Sequence, residues 1–184
     1  MLPLRPVLFC LCLAAACAKA PDAALFANKP QAPMPTAPAP TTVTMDVPEN
    51  WQSIEIDQPF YLAKWDLPNG GRATISYLGS NVESVAMNID RWMGQWSVQG
   101  SSPEDARVFE GKIIGEQEVY QMTLEGTLNS TAQVGGGDPR ADWMLVGAIM
   151  LKDFGPVYLK VVGPGDDLRD QADVLFSNFS TATF

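Results

Sequence analysis

Nine consecutive residues, Trp143 to Leu151, carry no polar side chain. A strand sends alternate side chains to opposite faces, so a run that is apolar at both parities needs cover on both sides. The run is strand-length, and Asp153-Phe-Gly155 with Pro156 turns the chain beyond it. Val157, Leu159 and Val161 then continue as a partner strand that Gly163-Pro-Gly165 ends. A central strand with no polar side places the sheet between two covering layers.

The remaining segments supply the sheet and its cover. Val43, Met45 and Val47 alternate with Thr42, Thr44 and Asp46, which predicts a short first strand. Trp51 is expected to pack back onto the core edge. A strand over Phe60 to Trp65 and another over Arg72 to Leu78 flank Leu67-Pro-Asn-Gly-Gly71. Asn69-Gly70 is a hairpin signal, because both residues tolerate positive φ. Val108 to Ile114 and Val119 to Leu128 read as another strand pair joined at Gly115-Glu116. Tyr120, Met122 and Leu124 alternate there with Gln121, Thr123 and Glu125. Asn129 to Pro139 has no apolar period and reads as a flexible loop.

Two helices complete the reading. Val82, Val85, Ala86, Ile89, Trp92, Met93 and Trp96 form one apolar stripe on the 3.6-residue period. Ser80 or Asn81 can cap it, and Gly94 weakens its last turn by about 1 kcal/mol relative to alanine. A second stripe, Leu168, Ala172, Leu175, Phe176 and Phe179, begins at Asp166. The expected class is α+β, a mostly antiparallel sheet packed with helices, in the order βββ-α-ββ-ββ-α.

Before this body stand two segments of different composition. Residues 1–16 read as a signal peptide: Arg5, the apolar run Val7 to Leu13, then small residues up to Cys17. That run is too short to span a bilayer, which takes roughly 20 apolar residues. Leu13-Ala-Ala-Ala-Cys17 resembles the bacterial lipoprotein processing site, in which the cysteine is acylated; alanine stands where leucine is commoner, three residues before the cysteine. The resemblance implies lipidation at Cys17. With Ala18 rather than aspartate following, it implies an outer-membrane lipoprotein facing the periplasm. Residues 17–41 hold six prolines and eight alanines and form a disordered tether. A flexible coil of that length reaches roughly 25–30 Å.

Residues 42–184 form the single globular domain, with nine basic and 20 acidic side chains. That balance argues against nucleic acid as a partner, since phosphate contacts need local positive charge. All three cysteines lie at or before position 17, and the chain has no histidine. Disulfides, thiolate sites, cysteine nucleophiles and imidazole chemistry are therefore excluded from the body.

Other motifs fall short of chemistry. The Gly135-Gly-Gly137-Asp-Pro139 run lacks the Lys-Ser/Thr ending of a phosphate loop. Asp153-Phe-Gly155 lacks the companions of a kinase metal motif. Asp166, Asp167 and Asp170 suit the first turns of a helix better than a calcium loop. Glu116 with Glu118, and Glu110 with Glu125, are the carboxylate pairs considered for acid–base work.

Val47-Pro-Glu-Asn-Trp51 is similar to the Val-Pro-x-x-Trp opening of domains with the Mog1/PsbP-type fold. Strand Ala73 to Leu78, Asn88-Ile-Asp-Arg-Trp92-x-x-Gln95, Val146-Gly147-Ala148 and Tyr158-x-Lys160-x-x-Gly163-Pro164 resemble a group of uncharacterised bacterial lipoprotein and secreted domains. The resemblance implies an α/β/α sandwich. Members of that broad fold include a photosystem accessory protein and a small-GTPase binder, so it favours a binding role; it brings no catalytic residue and no cofactor.

The expected function is a membrane-tethered periplasmic accessory or protein-interaction domain without catalysis. The membrane is reached through the N-terminal lipid, and the partner is an envelope protein. Arg91, Trp92, Gln95, Trp96 and Lys160 are the candidate ligand or partner contacts. Their structural alternatives are core packing for the tryptophans and ion pairs for the basic residues. The competing readings are a small apolar ligand or lipid carrier, with a cavity near Trp92, Trp96 and Trp143, and a carboxylate-based enzyme. No metal or other cofactor is expected.

Overall fold

A computed structural model describes residues 37–81 and 84–184. The signal, Cys17 and most of the tether lie outside the described residues. Eight strands form one sheet, every neighbouring pair antiparallel: β1 (Gln52–Ser53), β2 (Tyr61–Asp66), β3 (Arg72–Tyr77), β4 (Trp96–Ser97), β5 (Val108–Ile114), β6 (Gln117–Leu128), β7 (Arg140–Lys152) and β8 (Gly155–Pro164). Their spatial order is β1-β2-β3-β8-β7-β6. Beyond β6, β5 covers the first part of that strand and β4 its end.

The central strand is β7, between β6 and β8. Its Met144, Val146, Ala148 and Met150 enter one buried cluster with Ala73, Ile75, Leu159 and Val161. Helices α3 (Gly165–Leu168) and α4 (Ala172–Ser180) close that face through Leu168, Leu175, Phe176 and Phe179. Trp143, Leu145 and Ile149 enter a second cluster under α1 (Ser84–Met93). The sheet thus has helical cover on both faces, as the two-sided apolar run requires.

Three local expectations need correction. Residues 43–47 do not join the sheet: Thr44 bridges only Thr183, with bonds of 2.9 and 3.0 Å. Val43, Met45 and Val47 still pack against the α4-side core. The first strand is instead the two-residue β1 after the buried Trp51. The first helix ends at Met93, and Trp96 belongs to β4, opposite Leu128. Gly94 stops the helix, and the Asn129 amide then captures the Gln95 carbonyl at 2.8 Å, turning the chain into the sheet. The final helix breaks into α3 and α4 around residues 169–171.

Between strands, the turn chemistry follows the sequence. Asn69 and Gly70 take φ of 60° and 82°, and Leu67 N donates to Gly71 O at 2.9 Å. A short helix, α2 (Pro103–Ala106), is capped by Ser102, whose hydroxyl accepts from Asp105 N at 3.3 Å. The 129–139 connection holds a short 3₁₀ turn with Val134 buried, and Thr131 Oγ1 donates to Gly137 O at 2.9 Å.

Candidate functional site

One row of residues crosses five strands on the α1 side of the sheet. Lys64 of β2 lies opposite Thr74 of β3, Thr74 opposite Lys160 of β8, Lys160 opposite Gly147 of β7, and Gly147 opposite Met122 of β6. Polar at one end, the row turns apolar at the other. The change falls at Gly147, whose missing side chain makes room for Trp92. A Cβ there would meet Trp92 Cζ3 at 2.7 Å.

Trp92 fixes the surroundings of Lys160. Its ring centroid lies 5.9 Å from Lys160 Nζ, and it meets Tyr158 edge-on at 6.2 Å. Gln95, on the turn after α1, accepts a hydrogen bond from Lys160 Nζ through Oε1. Lys160 is only 6% exposed, and no described carboxylate forms an ion pair with it. Burial pushes its ammonium down to about 7, and the positive Arg91 nearby adds to the effect.

Arg91 is exposed and donates from Nη2 to Asn88 Oδ1 at 2.7 Å. On the sheet beside it, Lys64 is buried and reaches Asp57 at 2.6 Å. That bond holds the Asp57 carboxyl below its ordinary range. Arg72 grips Asp66 with Nε and Nη2 at 2.9 and 2.7 Å. Four of the body's nine basic side chains (Lys64, Arg72, Arg91 and Lys160) thus gather on one side of an acidic protein. Two of them are matched by carboxylates, and Lys160 and Arg91 bond to side-chain amides.

The structure brings Arg91, Trp92, Gln95 and Lys160 together and leaves Trp96 apart. Trp96 packs in the α1-side core, its indole N–H without an acceptor among the described residues. Trp92 is 3% exposed and Trp96 4%, so their faces serve the core. Trp143 lies in the same cluster, with the Arg140 guanidinium 4.7 Å from its ring. The sequence pattern places Lys64 inside the Phe60–Trp65 strand and Arg72 at the start of the next, and singles out neither Thr74 nor Asp57. The missed signal was cross-strand pairing, above all of Thr74 with Lys160, 86 residues away, which no local period carries.

Of the two carboxylate pairs, Glu110 and Glu125 are not brought opposite each other. Glu110 lies opposite Gln121, not Glu125, and Glu125 is held by Arg169 at 3.0 and 3.1 Å. Glu118 accepts from Tyr120 Oη at 2.9 Å. Among the described residues no three Asp, Glu, Cys or His side chains converge as a metal would need. No described helix is long and apolar enough to cross a membrane.

No protein-family model matches the sequence, and no curated protein matches it. Among solved structures, the chain is similar to the solution structure of cyanobacterial PsbP (CyanoP) from Synechocystis sp. PCC 6803. The TM-score is 0.47 at 9% identity, covering 79% of this chain and 94% of that one. The similarity is one of chain path. The layered architecture stands on the sheet and helices themselves.

Proposed function

We propose that this chain is a membrane-tethered accessory domain of the bacterial cell envelope, anchored by an acyl group on Cys17 and acting by binding a protein partner. The signal, cysteine and proline-rich spacer support the address. The observation that carries the binding role is the basic ledge beside α1. Four basic side chains share that side; Lys64 and Arg72 are matched by Asp57 and Asp66, Lys160 is buried, and the exposed Arg91 forms the outer rim that presents positive charge outward. Gln95, half-buried, links that rim to Lys160. Such a ledge suits an acidic segment on the partner, since charge complementarity steers encounter and selects register.

The test is affinity capture from solubilised envelopes with the full chain as bait, comparing the natural sequence with Arg91→Glu. A partner retained by the first and lost by the second is the expected result. Recovery of the same proteins by both baits would overturn the ledge as the contact. The address is checked separately by intact-mass analysis of detergent-extracted protein. Acylated Cys17 at the new amino terminus is expected, and a chain still beginning at Met1 would refute the tether.

A further inference from the structure

Strand β5 pairs along its length with β6, from Val108 opposite Thr123 to Ile114 opposite Gln117. No described residue makes a backbone hydrogen bond to its outer edge. That edge carries two of the more exposed large apolar side chains among the described residues, Val108 at 59% and Ile113 at 70%. Glu110 and Lys112, both half-exposed, form an ion pair at 2.5 Å. An open edge of this kind is a template for another strand unless something guards it. Here a single charge of each sign does so, and the order of those charges tells which strand fits.

The two faces of β5 are distinct. Val108, Glu110 and Lys112 line a groove of about 190 Å³ with Asp173 and Phe176 of α4. Phe109 lies on the other face, stacked on Tyr120 at 6.4 Å. Directly opposed residues of an antiparallel pair share a face, so any partner strand must match apolar to apolar and charge to opposite charge on each.

We propose that β5 pairs antiparallel with β5 of a second copy of this chain about a two-fold axis at Gly111, joining the two sheets edge to edge. Val108 then lies opposite the partner's Ile114, Phe109 opposite the partner's Ile113, and Glu110 opposite the partner's Lys112. The symmetry repeats each contact, so both exposed apolar residues gain apolar neighbours, and the two ion pairs close into a ring of four alternating charges. Charge also selects the register. Moving the axis to Glu110 sets Glu110 against the partner's Glu110, and moving it to Lys112 sets Lys112 against the partner's Lys112. Both neighbouring registers place like charges face to face, which is destabilising. The Val-Phe-Glu-Gly-Lys-Ile-Ile sequence of β5 is therefore self-complementary only about its glycine.

A short ladder with few side-chain contacts buries little area, so the association belongs among weak, concentration-dependent interfaces. It stands independently of the basic ledge, which lies beyond β6 and β7 from this edge.

The experiment is sedimentation velocity on the full chain in detergent over a dilution series, with thermal melts to confirm that each variant folds. The natural sequence should show a monomer–dimer equilibrium. Glu110→Lys and Lys112→Glu should each weaken it by about tenfold or more, because two attractive pairs become repulsive. Mixing the two single variants should restore dimers, since one copy then offers two lysines against two glutamates. Copies held together only by a micelle would not distinguish these samples. A chain that stays monomeric throughout, dimers indifferent to Glu110→Lys, or a mixture that fails to associate would each overturn the proposal.

Discussion

Gly147 and Trp92 compete for one volume: a Cβ on the glycine would lie 2.7 Å from Cζ3 and 3.2 Å from Cε3 of the indole. Real Cβ atoms do not approach that closely, so either the helix lifts or the ring leaves its seat. Gly147→Ala should therefore destabilise the fold by about 1–3 kcal/mol, the usual cost of overpacking a close-packed core. Urea melts would read this as a lower midpoint. In a Trp92→Leu background the same substitution should cost clearly less, because the colliding atoms are gone. An equal cost in both backgrounds would show that the strain lies elsewhere.

Lys160 predicts a pH dependence whose sign is fixed by its environment. Its folded value is pushed down to about 7, mainly by burial, from an ordinary 10.5. Between those values the unfolded chain holds a proton that the folded chain gives up, so stability rises with pH across that window. Below about pH 7 the penalty is complete and constant. One proton sets a slope of at most about 1.4 kcal/mol per pH unit. Lys152, lowered by burial as well, contributes in the same direction. The difference between the natural chain and Lys160→Met isolates the first lysine: the variant should show a flatter profile from pH 7 to 10. Parallel profiles would mean that Lys160 keeps an ordinary value.

The Arg169 clamp should matter less than its geometry suggests. Arg169 bonds both oxygens of Glu125 at 3.1 and 3.0 Å and reaches Asp166 at 3.1 Å, and these carboxylates raise its affinity for its proton. Yet the Arg169 and Glu125 side chains are about half exposed (52% and 50%), so water competes for every bond. Glu125→Gln should cost between about 0 and 1 kcal/mol, and the loss should shrink in high salt. Thermal melts at low and high ionic strength would check it. A larger, salt-independent loss would make the clamp structural.

How far the sequence reveals this fold depends on the range of the contact. The two-sided burial of β7, the turn at Asn69-Gly70 and the stripe from Val85 to Met93 are all written in local periods, and each stands in the structure. Trp96 misleads because it keeps helical spacing from Trp92 while Gly94 and the Asn129 amide redirect the backbone between them. In β2, a register shift between Tyr61 and Ala63 breaks the alternation, so Leu62 and Lys64 enter different faces despite equal parity. The row Lys64–Thr74–Lys160–Gly147 depends on pairings among four strands, and only assembly of the sheet makes it visible. Of the candidate contacts, Arg91, Gln95 and Lys160 were legible as polar residues in apolar elements. Lys64, two strands from Lys160 across Thr74, was not.

Asp142 lies within β7 yet takes a φ of 58°, in the left-handed region. The cause is a bulge. Gly126 pairs with Trp143 and Leu128 with Arg140, so two residues of β7 face one of β6. A residue with a Cβ is strained by roughly 1–2 kcal/mol in that conformation, and aspartate bears it better than branched side chains do. Asp142→Gly should thus be neutral or stabilise by up to about 1 kcal/mol, the relief of strain offsetting the entropy lost by a glycine. Asp142→Val should destabilise by more than about 1 kcal/mol, although valine is the better strand former in general. Chemical melts of both variants would show glycine above valine, the reverse of their ordinary order in a sheet. If valine proved the more stable, the bulge would not hold its left-handed turn in solution, and β6 and β7 would pair in continuous register past Trp143.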